Sequence, residues 1–319
     1  MLESTREFIL IYGDAFVDYI ANDATNTSFT TFLGGTTINV AAGISRIGAP
    51  SAIITVTGDD ETSNFVRQEL INEGVNTEYA KIIPEKRVTG VEVHLTENND
   101  RMFTNYTDET PDIQVEPTHL NPVAFERASV FSFCSNTMFQ ETALQTTKKA
   151  VELAIEKDCL IAMDANIRPL RWESAQQCLE TISEFLPYVN VMKLADEELY
   201  FITETKTIED GIKALEKYNI TLLMITVGAE GTHVVFDGQT VHVPSIRIDC
   251  VDTTGAGDAF MSGILCSIHQ SGLPKNIDEA YEYVFFSNQL GAYAATKAGA
   301  ITAMPHLHEI ESIIQRRAK

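Results

Sequence analysis

Six short apolar runs recur along this chain: FILIYG (8–13), SAIITVTG (51–58), SVFSF (129–133), CLIAMD (159–164), VNVM (189–192) and TLLMITVG (221–228). Helical spacing of apolar residues lies between or after them, at 37–48, 61–73, 139–157, 174–185, 196–203 and 207–217. Strands buried on both faces read as unbroken apolar runs, and their alternation with helices is the mark of a mostly parallel sheet flanked by helices. A hairpin around Asp237-Gly238 follows (233–243), then a helix to about Ser271, a long helix at 278–296 and a last one at 306–317. The alternation is interrupted twice. DYIANDATNTSFTTF (18–32) is polar and Thr-rich, and GVEVHL (90–95) and RMFTNY (101–106) alternate apolar and polar residues about a turn-rich ENND. These predict a small β-sheet lid, built from about 15–33 and 86–108, on a single α/β domain covering 1–319.

Composition narrows the class. Apolar residues make up 44% of the 319, enough for a large core, yet no run approaches the roughly 18 residues of a membrane span. MLESTREFILIYG mixes charges into too short an apolar run for a signal peptide. Five cysteines (134, 159, 178, 250, 266) include no C-x-x-C pair, which predicts reduced thiols and a cytoplasmic protein. With 45 acids against 23 bases the net charge is −22, so nucleic acid and anionic membranes are disfavoured partners. The acids are dispersed, which suits an ordinary solvated surface or one adapted to high salt.

The densest chemistry lies in CVDTTGAGDAF (250–260). The residues after Asp258 have helical spacing, so Gly255-Ala256-Gly257 sits at a helix N-terminus. There the first N–H groups lack internal partners, the helix dipole is positive, and small residues let an anion approach. An aspartate at the same place can take a proton from a hydroxyl held nearby. Anion site plus base is the equipment for moving a phosphoryl group onto an alcohol. A plain helix cap would need neither both glycines nor Asp252, and Asp258 stands four residues after Thr254, where a capping box needs three.

Asp252-Thr-Thr-Gly-Ala-Gly-Asp258 resembles the signature of the ribokinase-like sugar kinases, the PfkB family. Gly34-Gly35-Thr-Thr-Ile-Asn39 is similar to that family's N-terminal Gly-Gly…Asn motif, and Thr226-Val-Gly228-Ala-Glu230-Gly231 to its nucleotide-side loop. The matches come in the family's order and span the chain. The resemblance implies a ribokinase-like fold and transfer of the γ-phosphoryl group of ATP, with Mg2+, to a sugar hydroxyl. Asp258 would be the base, and the N–H groups of Gly255, Ala256 and Gly257 would stabilise the transferred charge. The sugar would meet Asp14, Asp18, Gly34, Gly35 and Asn39; the nucleotide would meet Lys193, Thr226, Gly228, Glu230, Gly231, Gly257 and Asn288.

Asp164-Ala-Asn166-Ile-Arg168…Trp172 is similar to a pattern of fructokinases and 2-keto-3-deoxygluconate kinases, with Arg171 inserted before Trp172. It implies a sugar or phosphate contact for Arg168; Arg171 reads as surface and Trp172 as core. Lys193-Leu-Ala195-Asp-Glu-Glu198 matches a stretch that supports magnesium, with Ala195 in place of the family's Asn. Glu198 would then hold Mg2+ through water. Ala294–Ala303 resembles the family's monovalent-cation loop, so carbonyls of Ala294, Lys297 and Gly299 with Asp252 and Thr254 would ring K+, although Ala303 stands where ribokinase offers Ser. Asn288 would lie beside adenine or be a surface amide. The KAGAITAMP ending and the Asn166–Arg168 region favour fructose, giving fructose 6-phosphate; in 2-keto-3-deoxygluconate kinase, Arg101, Tyr106 and Arg168 would form a carboxylate pocket. Ribokinase is a further alternative within the class. A nicotinamide dehydrogenase lacks its glycine fingerprint here, and a silent binding homologue would be expected to lose Asp258 or the glycines. Apolar alternation on the lid suggests a homodimer through it.

Overall fold

The computed structural model describes residues 6–96, 101–107 and 109–310. In chain order the strands are β1 (Phe8–Tyr12), β2 (Phe16–Ala21), β3 (Phe29–Gly34), β4 (Ser51–Ile54), β5 (Val56–Thr57), β6 (Lys81–Ile82), β7 (Thr89–Leu95), β8 (Arg101–Thr107), β9 (Ala128–Cys134), β10 (Leu160–Asp164), β11 (Val191–Ala195), β12 (Leu222–Thr226), β13 (Gly231–Phe236) and β14 (Gln239–Pro244). The helices are α1 (Thr36–Arg46), α2 (Glu61–Asn72), α3 (Pro122–Arg127), α4 (Glu141–Glu156), α5 (Ala175–Phe185), α6 (Asp196–Thr203), α7 (Ile208–Leu215), α8 (Ala256–Ser271) and α9 (Ile277–Ala294).

The main sheet runs β14-β13-β12-β11-β10-β9-β1-β4. From β4 to β12 every pairing is parallel, and only the β12–β13 and β13–β14 pairings are antiparallel. Strand side chains alternate between faces, so the sheet carries two cores. Ile9 and Ile11 of β1 pack with α1, α2, α8 and α9, while Phe8, Leu10 and Tyr12 pack with α3 to α7. This is the α/β ribokinase-like arrangement, with a second, smaller sheet of order β3-β2-β7-β8. Two antiparallel hairpins make that sheet, joined by parallel pairing of β2 with β7.

Two expectations need correcting. The run at 51–58 is not one strand: the chain leaves the main sheet at Thr55, and β5 pairs instead with β6. The strand expected at 189–192 begins two residues later, because a tight turn at Leu186–Tyr188 still occupies the approach. As expected, Gly255-Ala256-Gly257 opens helix α8, which starts at Ala256 and carries Gly257 and Asp258 in its first turn. Of the last predicted helix, residues 307–310 are helical and 311–317 lie outside the described residues.

Candidate active site

The carboxyl ends of β10 and β11 lie near the N-terminus of α8. Gly255 is the cap of that helix, with a left-handed φ of 79°, and a side chain there would drive into the Ala300 backbone, 2.9 Å away. The turn it permits brings Asp258 inward, 9% exposed, where Asn39 of α1 donates from Nδ2 to Asp258 Oδ2 at 2.8 Å. Burial pushes the Asp258 carboxyl up to about 6; the Asn39 hydrogen bond opposes this, the Asp164 charge adds to it, and Lys193 and Arg168 pull it down. A carboxylate that changes charge near neutral pH suits a general base.

Two residues before Asp258, the Ala256 N–H is turned onto the Thr253 carbonyl at 3.1 Å. The expected trio of amides is therefore reduced, and among the described residues the N–H groups of Gly255 and Gly257 show no protein acceptor. Under Gly257 lies Lys193, whose Nζ would sit 3.1 Å from a Cβ at that position. Its ammonium bonds both carboxylate oxygens of Asp164, at 3.0 and 3.2 Å. The pair arises from strand register, Asp164 of β10 standing opposite Lys193 of β11. Burial opposes the charge on Lys193, yet Asp164, Glu198 and Asp258 together hold it above its ordinary value.

The loop after β10 is fixed from three sides. Asn166 takes a left-handed φ of 38° and donates to Thr36 Oγ1 at 2.7 Å, while its carbonyl accepts from Ser135 Oγ at 3.1 Å. Glu198 accepts the N–H groups of Ile167 and Ala195, each at 2.7 Å. Glu198 is thus turned inward, a brace between this loop and α6, whereas Glu197 is exposed. Burial raises the Glu198 carboxyl, with the Asp164 charge adding and Lys193 opposing. Arg168 is exposed at the mouth of the crevice, close enough to act on Asp258. Arg171 is not free surface: its guanidinium lies over the Phe139 ring, 4.5 Å from the centroid, and Trp172 is buried against the same ring.

A family model described as pfkB family carbohydrate kinase matches residues 6–307. The chain belongs to the pfkB carbohydrate kinase family. It is 32% identical over 304 residues to a fructokinase of Klebsiella pneumoniae, covering 95% of this chain and 98% of that one. Among solved structures it resembles a fructokinase with bound ATP from Xylella fastidiosa, at 25% identity and a TM-score of 0.88, covering 98% of this chain and 100% of that one. It also resembles a double mutant of fructokinase from Vibrio cholerae O395 in a form with fructose, ADP and potassium ion bound, at 27% identity and a TM-score of 0.84, covering 97% and 98%.

In this pfkB family member one side of the crevice is framed by β1, β2 and α1. Asp14 follows β1, and Asp18 of β2 places its carboxylate against Gly34, where a Cβ would approach to 2.6–2.8 Å. Gly35 has a φ of 96° and caps α1 with Phe16 packed over it, so its glycine serves the backbone whatever it does for a ligand. The side chains of Arg101 and Tyr106 lie outside the described residues. On the other side, Thr226 ends β12 and donates to the Leu194 carbonyl at 3.2 Å, Gly228 opens onto free space, Glu230 is exposed, and Gly231 lies against the Val243 carbonyl. Asn288 is not a surface amide: it is 6% exposed, and its amide joins Thr232 Oγ1 at 2.7 Å to the Val243 carbonyl at 3.0 Å.

Asp252 organises the segment after α9. One oxygen accepts the Thr254 N–H and hydroxyl at 2.9 and 2.6 Å, and the other accepts the Gly299 N–H at 2.9 Å. The Ala294 carbonyl takes the Lys297 N–H at 3.1 Å, and the Lys297 ammonium turns away to Glu309. Sequence reasoning missed the Asp164–Lys193 pair and the role of Thr36. The signal for the pair was a charged residue at the end of each of two adjacent apolar runs; a lone threonine gave none.

Proposed function

We propose that this kinase transfers the γ-phosphoryl group of ATP to a hydroxyl of fructose, giving fructose 6-phosphate. The observation that carries the chemistry is a buried aspartate beside the open amides of a helix N-terminus. Asp258 takes the proton of the acceptor hydroxyl, and that oxygen attacks the γ-phosphorus. The N–H groups of Gly255 and Gly257, with the fixed charge of Lys193, stabilise the negative charge on the phosphoryl as it moves. Asp14, Asp18, Gly34 and Arg168 hold the sugar, with Asn39 behind Asp258, and Thr226, Gly228, Glu230 and Lys193 border the nucleotide. Asn288 supports that border by tying α9 to β13 and β14. The small sheet closes over the acceptor as a lid.

No cluster of three His, Cys, Asp or Glu side chains able to hold a metal occurs among the described residues. On this reading Mg2+ is held by phosphates and waters, with Glu198 acting through water, since its oxygens are already engaged by backbone donors. Bound there, Mg2+ would neutralise phosphate charge. The Asp252-centred turn and the carbonyls of Ala294, Lys297 and Gly299 fit a K+ site, and the potassium ion named for the Vibrio cholerae enzyme supports it. Fructose rests on the relatives' names and on the fructose named in that same structure.

Coupled ADP release with fructose, ribose and 2-keto-3-deoxygluconate, in K+ and in Na+, tests the reading. Fructose should give the highest kcat/KM, and K+ should exceed Na+. Turnover of 2-keto-3-deoxygluconate alone would replace the substrate, and no turnover of any sugar would remove the kinase reading. No helix among the described residues is long and apolar enough to cross a membrane. A homodimer through the small sheet remains part of the proposal, and a monomer by light scattering would strike it out.

A further inference from the structure

Asp258 has two carboxylate oxygens, and the direction of proton transfer depends on which one faces the acceptor. Asn39 decides this by geometry. Its Nδ2 lies 2.8 Å from Asp258 Oδ2, and the reversed amide would set two acceptors against each other. Asn39 has little room to swing: its backbone N–H bonds the Gly35 carbonyl at 2.9 Å and its side chain is 4% exposed. Helix α1 is itself fastened to α8, where Ser262 Oγ donates to the Val40 carbonyl at 3.2 Å. In this orientation Asn39 Oδ1 is buried without a partner among the described residues, so the packing leaves one acceptor unsatisfied while the donor is held on Asp258.

We propose that Asn39 is a positioning residue for the base: its amide N–H holds Oδ2 of the charged Asp258, so that Oδ1 takes the proton of the acceptor hydroxyl. This rests on the kinase reading above. The O–H bond breaks toward Oδ1, and its electron pair forms the new bond to the γ-phosphorus. The bond from that phosphorus to the β-phosphate oxygen breaks as ADP leaves with the pair. The other groups facing Asp258 are Asp164 of β10, Lys193 of β11 and Arg168 of the following loop. Cys134 at the end of β9 is also near, its thiol pushed by burial up to about 12 and so neutral. Of these, Asn39 alone is hydrogen-bonded to the carboxylate among the described residues. Without it the charged form loses its donor and the carboxylate is free to rotate.

The test compares Asn39→Ala and Asn39→Asp with the parent. It reads the pH profile of kcat/KM and the 13C NMR titration of the Asp258 carboxyl in the resting enzyme, assigned by its absence in Asp258→Asn. In Asn39→Ala both should move together to higher pH by about one unit, lowering kcat/KM at pH 6 about five-fold beyond any change seen at pH 8. In Asn39→Asp the two carboxyls should titrate in two steps, the upper one displaced further. A carboxyl titration unmoved in both variants, with only the sugar KM raised, would overturn the proposal and leave Asn39 a sugar contact. If the alanine variant fails to fold, the aspartate variant decides by the same criteria. The carboxyl titration needs no turnover, so failure of the kinase reading would show separately, as absent activity in the parent.

Discussion

A group that must accept a proton near neutral pH works best when its own charge is only just stable, and burial puts Asp258 in that condition. The expected acid limb of kcat/KM therefore lies near pH 6, with activity rising as Asp258 ionises; a profile flat from pH 5 to 8 would count against it as the base. Stability follows the opposite sign. The folded-state value of about 6 exceeds the ordinary 3.8, so between them the folded protein binds more protons than the unfolded chain. The stabilisation is present below about 4 and is lost as pH rises through about 6. At pH 7 a buried charge remains that destabilises the fold. Asp258→Asn should thus melt at an equal or higher temperature while kcat falls by about 10²–10⁴-fold, the usual scale of a general base. A variant with near-normal turnover would make the Gly-Ala-Gly-Asp run a helix start and nothing more.

Elements fail in more local ways. Asn288→Ala removes the link from α9 to β13 and β14 and leaves the Thr232 hydroxyl and Val243 carbonyl short of a partner, so it should cost about 1–3 kcal/mol in urea unfolding. The KM for ATP should stay close to the parent value; a large rise without loss of stability would return Asn288 to the nucleotide. Gly35→Val asks a β-branched residue to hold a φ of 96° with Phe16 only 2.9 Å from its Cβ. It should destabilise the fold by about 2 kcal/mol or more, so lost activity there would report the α1 cap before it reported the sugar. What was legible follows from period. Helices and buried strands repeat every few residues, and the alternation of FILIY with its following helix is local. The break at Thr55 was hidden because the apolar run continues through it although the pairing partner changes. In the site, Gly255–Asp258 was legible because its chemistry is contiguous. The Asp164–Lys193 pair depends on register between strands, and the Asn39–Asp258 bond on two helices meeting across the molecule, so neither leaves a local pattern.

For the whole molecule, a charge of −22 repels itself in the compact state more than in the unfolded chain. The melting temperature should rise as KCl goes from low concentration to about 0.5 M, where screening reaches only a few ångströms. A flat response would show that the acids are balanced locally, as Glu73 is by Arg46. NaCl at the same strength separates this from occupancy of the proposed K+ site. The chain's spatial order carries one more consequence, in the time domain of synthesis. Main-sheet strand β1 has β4 on one side and β9 on the other, and the Asn39–Asp258 bond joins residues 219 positions apart. At about 5–20 residues per second, a ribosome adds the second partner some 10–45 s after the first. Until then the growing polypeptide holds most of a sheet without the Asn39–Asp258 bond, and on the proposed function it would not draw on cellular ATP while incomplete.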